Sequence, residues 1–144
     1  AIGGGVLLAL RHVGEALAAP LFGSLGDRFG AVKIFTMSAA LTVVGLLLIA
    51  FNQVISGAII LLIFRGAIAS LGPTIIAKQF GDTETVLDNL ARLQSWRDIG
   101  AAAGPLVTGF ALVYISAEIQ HLVLAIIFGV VLVLSSPKIT TNSN

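Results

Sequence analysis

The feature that most constrains this chain is a succession of apolar runs, each about as long as the hydrocarbon layer of a membrane is thick. A helix rises 1.5 Å per residue, so crossing that layer takes about 20 apolar residues. Five runs of this kind can be read, at about residues 6–25, 34–51, 54–77, 99–117 and 119–136. Arg11, His12 and Glu15 interrupt the first, and Arg65 lies inside the third. The pattern predicts an all-α, multi-pass helical membrane protein. Composition agrees: 57% of the 144 residues are hydrophobic and 10% charged, against about a quarter charged in soluble domains. So many apolar side chains exceed what one small core can hold, and the remainder must face lipid.

Several function classes fall away at the same stage. The chain has no cysteine, which removes disulfide frameworks, thiolate zinc sites and cysteine nucleophiles. A net charge of +1 offers no clustered basic surface for nucleic acid. His12 and Glu15 share a helical spacing, but further donors for a metal are missing. No serine, histidine and acid fall into a triad pattern, and no phosphate-cradling loop is present, so neither an enzyme nor a cofactor is expected. The chain opens on apolar residues with no methionine and no basic leader. It therefore reads as a fragment or a processed chain without a cleavable signal.

Lys and Arg are unequally shared between the connections. Arg28 and Lys33 lie between runs one and two, Lys78, Arg92 and Arg97 between runs three and four, and Lys138 after run five. The opposite turns offer only Asn52 and Gln53, then Glu118, Gln120 and His121. Positively charged connections stay inside, so the longer loops and the C-terminus are expected in the cytoplasm of an inner (plasma) membrane protein. The connection 79–98 carries Val86, Leu90 and Leu93 at helical spacing, with Thr85 and Asp88 as a candidate capping box. It is read as a cytoplasmic loop holding a short amphipathic helix on the inner surface. Its mixture of acids and bases argues against a calmodulin-type target.

The strongest local signal is Gly23-Ser24-Leu25-Gly26-Asp27-Arg28-Phe29-Gly30. Gly26 and Gly30 permit close helix approach, Gly30 suits a left-handed helix end, and Asp27 and Arg28 sit where charges reach water or headgroups. A second signal is Arg65 followed eight residues on by Pro73. A third is Gly100-Ala101-Ala102-Ala103-Gly104-Pro105 with Gly109. Its small residues make a groove for a neighbouring helix, and Pro105 removes a backbone hydrogen bond where the helix can bend.

Taken together these segments resemble the major facilitator superfamily. Gly23, Leu25, Gly26, Asp27, Arg28 and Gly30 are similar to its signature loop, although Ala31 and Val32 stand where a basic pair is usual and Lys33 follows one residue later. Arg65 with Pro73 resembles its second motif, with Ile68 and Ala69 in place of the usual glutamine and glycine. Gly100, Gly104, Pro105 and Gly109 resemble its glycine-proline motif. The resemblance implies twelve helices in two six-helix halves, of which this chain supplies about five. It points to the C-terminal half, given the degenerate loop motif, the polar tail and Trp96-Arg97-Asp98. The N-terminal half, with six more spans beyond Asn144, is the other assignment. The family's aspartate at the position of Asp27 stabilises one access state by contacting basic residues and a helix end, with Arg28, Arg92 and Arg97 as candidates here.

Ionisable groups at mid-membrane cost about 2.5–3.5 kcal/mol on insertion scales and must face protein or water. Arg65 lies eleven residues from Val54 and twelve from Ala77. Glu15 lies about 18 Å along a helix from Asp27, and Arg11 is one turn away on the same face. One reading puts Arg11, Glu15 and Arg65 on a substrate or proton pathway; the other pairs them for assembly alone. The expected function is secondary active transport of a small solute by alternating access, of proton-coupled or efflux type, with the lipid bilayer and the missing half as partners. The alternative is a non-transporting membrane assembly unit or an inactive truncated product.

Overall fold

The computed structural model describes the backbone of residues 2–141, and the side chains of residues 13–135 apart from Glu15 and Ala18. Five helices follow one another: α1 (Ile2–Phe29), α2 (Ala31–Ala50), α3 (Val54–Gln79), α4 (Thr83–Ala111) and α5 (Ala117–Thr141). No strand occurs among the described residues. This all-α arrangement is what backbone chemistry requires in lipid, where every N–H and C=O must be satisfied within its own segment. Three helices are long and apolar enough to cross a membrane: α2, α3 and, over Ala117–Ser135, α5.

The turns use the residues that such bends need. A single residue, Gly30, separates α1 from α2 and takes φ +94°, a conformation open to glycine and strained for a side chain. The α2–α3 turn closes as a Schellman motif. Gln53 N–H donates to the Leu48 carbonyl at 2.8 Å and Asn52 N–H to the Ile49 carbonyl at 3.0 Å. Asn52 takes φ 65° at the left-handed position, which asparagine tolerates better than most residues.

The core sits between α1, α2 and α3. Ala31, Ala39, Ala67 and Leu71 are buried, as are Gly26, Gly45, Gly57 and Gly66. α2 and α3 meet backbone to backbone: a Cβ on Gly57 would lie 2.6 Å from the Gly45 carbonyl oxygen and 2.6 Å from Ile49 Cγ1. Glycine at both positions lets the helices approach closely, as small residues do in lipid, where packing has no hydrophobic drive. α1 packs on α3 through Phe22 and Phe64, whose ring centroids are 5.9 Å apart. α5 lies on α2, with Ala125 buried and Gly129 close to Val43. Most large aliphatic side chains remain exposed, Ile55 at 79% and Val133 at 71% among them, as the faces of membrane helices are.

α4 departs from the sequence expectation in two ways. The expected surface helix within 79–98 and the expected run at 99–117 are one helix, unbroken from Thr83 to Ala111. No proline interrupts the join at Asp98-Ile99-Gly100, and one interior glycine costs only about 1 kcal/mol. The start is also set differently: Asp82, not Thr85 with Asp88, caps the helix, its carboxylate accepting the Thr85 N–H at 2.7 Å. The C-terminal end comes at Ala111, and residues 112–116 form a turn. There Gln120, 6% exposed, donates from its side-chain amide to the Thr108 carbonyl at 3.4 Å.

Candidate functional site

Gly23 to Phe29 form the last turns of α1, so the signature segment is a helix end and only Gly30 is the bend. Gly26 faces α3: a Cβ there would come 2.7 Å from Leu71 Cδ2, and Leu71 is fully buried. Gly23 has open space around it, and Leu25 is exposed. The buried Gly26 contact brings the C-terminal ends of α1 and α3 together. Beyond it Lys78 Nζ donates to Asp27 Oδ1 at 2.9 Å.

The partner of Asp27 is therefore Lys78, rather than Arg28, Arg92 or Arg97. Arg28 lies over the Phe29 ring, 5.4 Å from its centroid. Arg92 pairs with Asp88 one turn away on α4 at 3.0 Å. Sequence spacing pointed to the numerous basic residues of the connection, but α1 and α3 run parallel and finish at one level, which places Lys78 within reach. Both members of the pair are exposed, Lys78 at 58% and Asp27 at 70% of their side chains.

Arg65 occupies the middle of α3. It lines a cavity of about 400 Å³ enclosed by α2, α3 and α4, whose walls are Val32, Phe35, Ile68, Ala69, Gly72, Pro73, Ile75, Ile76 and Leu93, with Arg97 as its second charged residue. A ligand pocket for a small organic molecule spans about 300–1,000 Å³. Arg97 reaches this cavity because the Thr83 end of α4 runs back along α3: Leu93 Cδ2 lies 3.5 Å from where a Gly72 Cβ would be. Arg65 is fourteen residues before the end of α3 and Arg97 fourteen after the start of α4. Each is thus about 21 Å along its helix from the shared turn. Sequence reading singled out Arg65 and counted Arg97 only among the basic residues of a loop. The equal spacing from Asp82 was the signal available.

The glycine-proline segment takes an unexpected place. No residue of α4 is buried, and a Cβ on Gly100, Gly104 or Gly109 would meet nothing within 4 Å. The expected groove for a neighbouring helix is thus open within this chain. Pro105 lies inside α4. Arg11, His12 and Glu15 belong to α1, but their side chains lie outside the described residues.

Residues 2–142 match the family model of the Major Facilitator Superfamily. The chain belongs to the Major Facilitator Superfamily. It is accordingly an integral membrane protein of a transporter family whose members handle small-molecule solutes. No curated protein and no solved structure matches it. Within this superfamily chain, the Asp27–Lys78 pair marks one end of the bundle, and the two-arginine cavity lies part-way along it.

Proposed function

We propose that this chain forms about five helices of one half of a secondary active transporter, which moves a small solute by alternating access in a plasma (inner) membrane. The half is the C-terminal one, and the Asp27–Lys78 end and the C-terminus face the cytoplasm. The observation that carries the reading is Arg65: a cation in the middle of an apolar spanning helix, lining a cavity of solute size. A charge at that depth needs water, protein or an anion beside it, and a solute pathway supplies all three.

The remaining parts follow from their places. Asp27 and Lys78 join the ends of α1 and α3 and release them when the pathway opens toward the cytoplasm. Arg11 and Glu15 complete the charged path on α1, Glu15 carrying a coupled proton in a proton-coupled or efflux mechanism. The open face of α4 along Gly100, Gly104 and Gly109 receives a helix of the missing half, and Pro105 lets α4 bend against it.

The test is solute flux in proteoliposomes holding the complete transporter, with and without a pH gradient. Glu15→Gln is expected to abolish accumulation driven by the gradient while leaving exchange at equal pH, and Arg65→Ala to reduce both at least tenfold. Wild-type accumulation and pH dependence in both variants would overturn the pathway assignment.

A further inference from the structure

The cavity between α2, α3 and α4 has a chemistry of its own. Its walls are aliphatic and aromatic, and its two charged lining residues, Arg65 and Arg97, carry the same sign. Guanidinium groups keep their proton at any physiological pH. No carboxylate lines the cavity. The acids of α4 nearest in sequence to Arg97 are engaged along their own helix: Asp98 accepts from Gln94 Nε2 at 3.0 Å, and Asp88 accepts from Arg92 at 3.0 Å.

Placement sharpens the point. Arg97 belongs to the stretch of α4 that runs beside the apolar inner turns of α3, where Leu93 meets Gly72. Two like charges at one level, held in a low-dielectric surround, repel one another and attract an anion more strongly than either would at a surface. The planar fork of arginine also matches the two oxygens of a carboxylate or phosphate.

Resting on the transport reading, we infer that Arg65 and Arg97 together recognise the anionic group of an amphiphilic organic anion, with Val32, Phe35 and Leu93 receiving its apolar body. The shared chemistry is a carboxylate or phosphate on a hydrocarbon or aromatic frame. A dissolved solute and the headgroup of an anionic lipid both carry it, and they are separated by experiment.

The complete transporter in phosphatidylcholine nanodiscs is titrated with radiolabelled benzoate, benzyl alcohol and benzylamine. Benzoate is expected to bind at least tenfold more tightly than benzyl alcohol and benzylamine. Arg97→Gln and Arg65→Gln should each weaken benzoate at least tenfold, and Arg97→Lys should retain part of the affinity as a folded control. Phe35→Ala should weaken benzoate more than it weakens acetate. Repeating the titration with phosphatidylglycerol in the disc identifies the source: competition lost in Arg97→Gln assigns the site to a lipid headgroup, and undisturbed benzoate binding assigns it to a dissolved solute. Benzylamine binding as well as benzoate, or Arg97→Gln and Arg65→Gln binding benzoate like the parent, would overturn the inference. The two readings fail separately: intact flux without anion preference removes the ligand class, and intact anion binding without flux removes the transport assignment.

Discussion

Lys78 Nζ and Asp27 Oδ1, fifty-one residues apart in the chain, lie 2.9 Å from one another and tie the end of α3 to the end of α1. An exposed pair of this kind contributes at most about 1 kcal/mol to stability, so its value lies in which arrangement of helix ends it favours. Small energies suffice for that, since about 1.4 kcal/mol changes a two-state ratio tenfold. Asp27→Asn and Lys78→Gln are each expected to leave the thermal midpoint in detergent nearly unchanged while raising cysteine-reagent labelling of the cytoplasmic side of the pathway. Equal labelling in parent and variants would rule out the latch.

Glycines of the core are expected to differ in what they tolerate. Gly57→Ala drives a methyl against the Gly45 carbonyl and Ile49 Cγ1, each at 2.6 Å, and rigid backbone on one side leaves little room to yield. Overpacking of this kind costs about 1–3 kcal/mol. Gly26→Ala meets the end of the Leu71 side chain at 2.7 Å, which can rotate, so a smaller loss is expected. Reversible unfolding in mixed micelles checks the order; Gly26→Ala proving the more damaging of the two would contradict the packing described.

The glycine face of α4 offers the opposite contrast. Gly100→Ala and Gly104→Ala meet nothing within 4 Å in this chain, and alanine improves helix propensity by about 1 kcal/mol per site. Helix content of the isolated chain should hold or rise. In the complete transporter, Gly100→Leu with Gly104→Leu should reduce flux sharply, because that face then has a helix of the other half against it. Parent-level flux in the double variant would show that the face stays open.

At the start of α4, the Thr85 backbone N–H, followed by the Thr85 hydroxyl, holds the Asp82 carboxyl below the usual carboxylate range. A lowered value in the folded state means the cap contributes fully above the unfolded value, and its contribution is lost as pH falls through the folded one. Amide-exchange protection over residues 83–87 should decline below about pH 4. In Asp82→Asn, which caps without titrating, it should be independent of pH. A decline of equal size in the asparagine variant would assign the effect elsewhere.

Much of this architecture was legible in the order of residues. Runs of about 20 apolar side chains leave the backbone no option but helices, and they name lipid as the solvent. Gly30 and the Asn52 turn marked bends because few other residues accept a positive φ. The three glycine, arginine and proline motifs pointed to the superfamily before any contact was known. The continuity of α4 was misread because charged residues from Asp88 to Asp98 look like a solvated loop, whereas a helix beside a cavity can carry them. Tertiary structure alone decided that Asp27 meets Lys78, that Gly57 meets Gly45 and that Arg97 shares a cavity with Arg65. Periodicity reports the face a helix buries, but how far each helix turns and slides against the next is set by side-chain complementarity between segments distant in the chain.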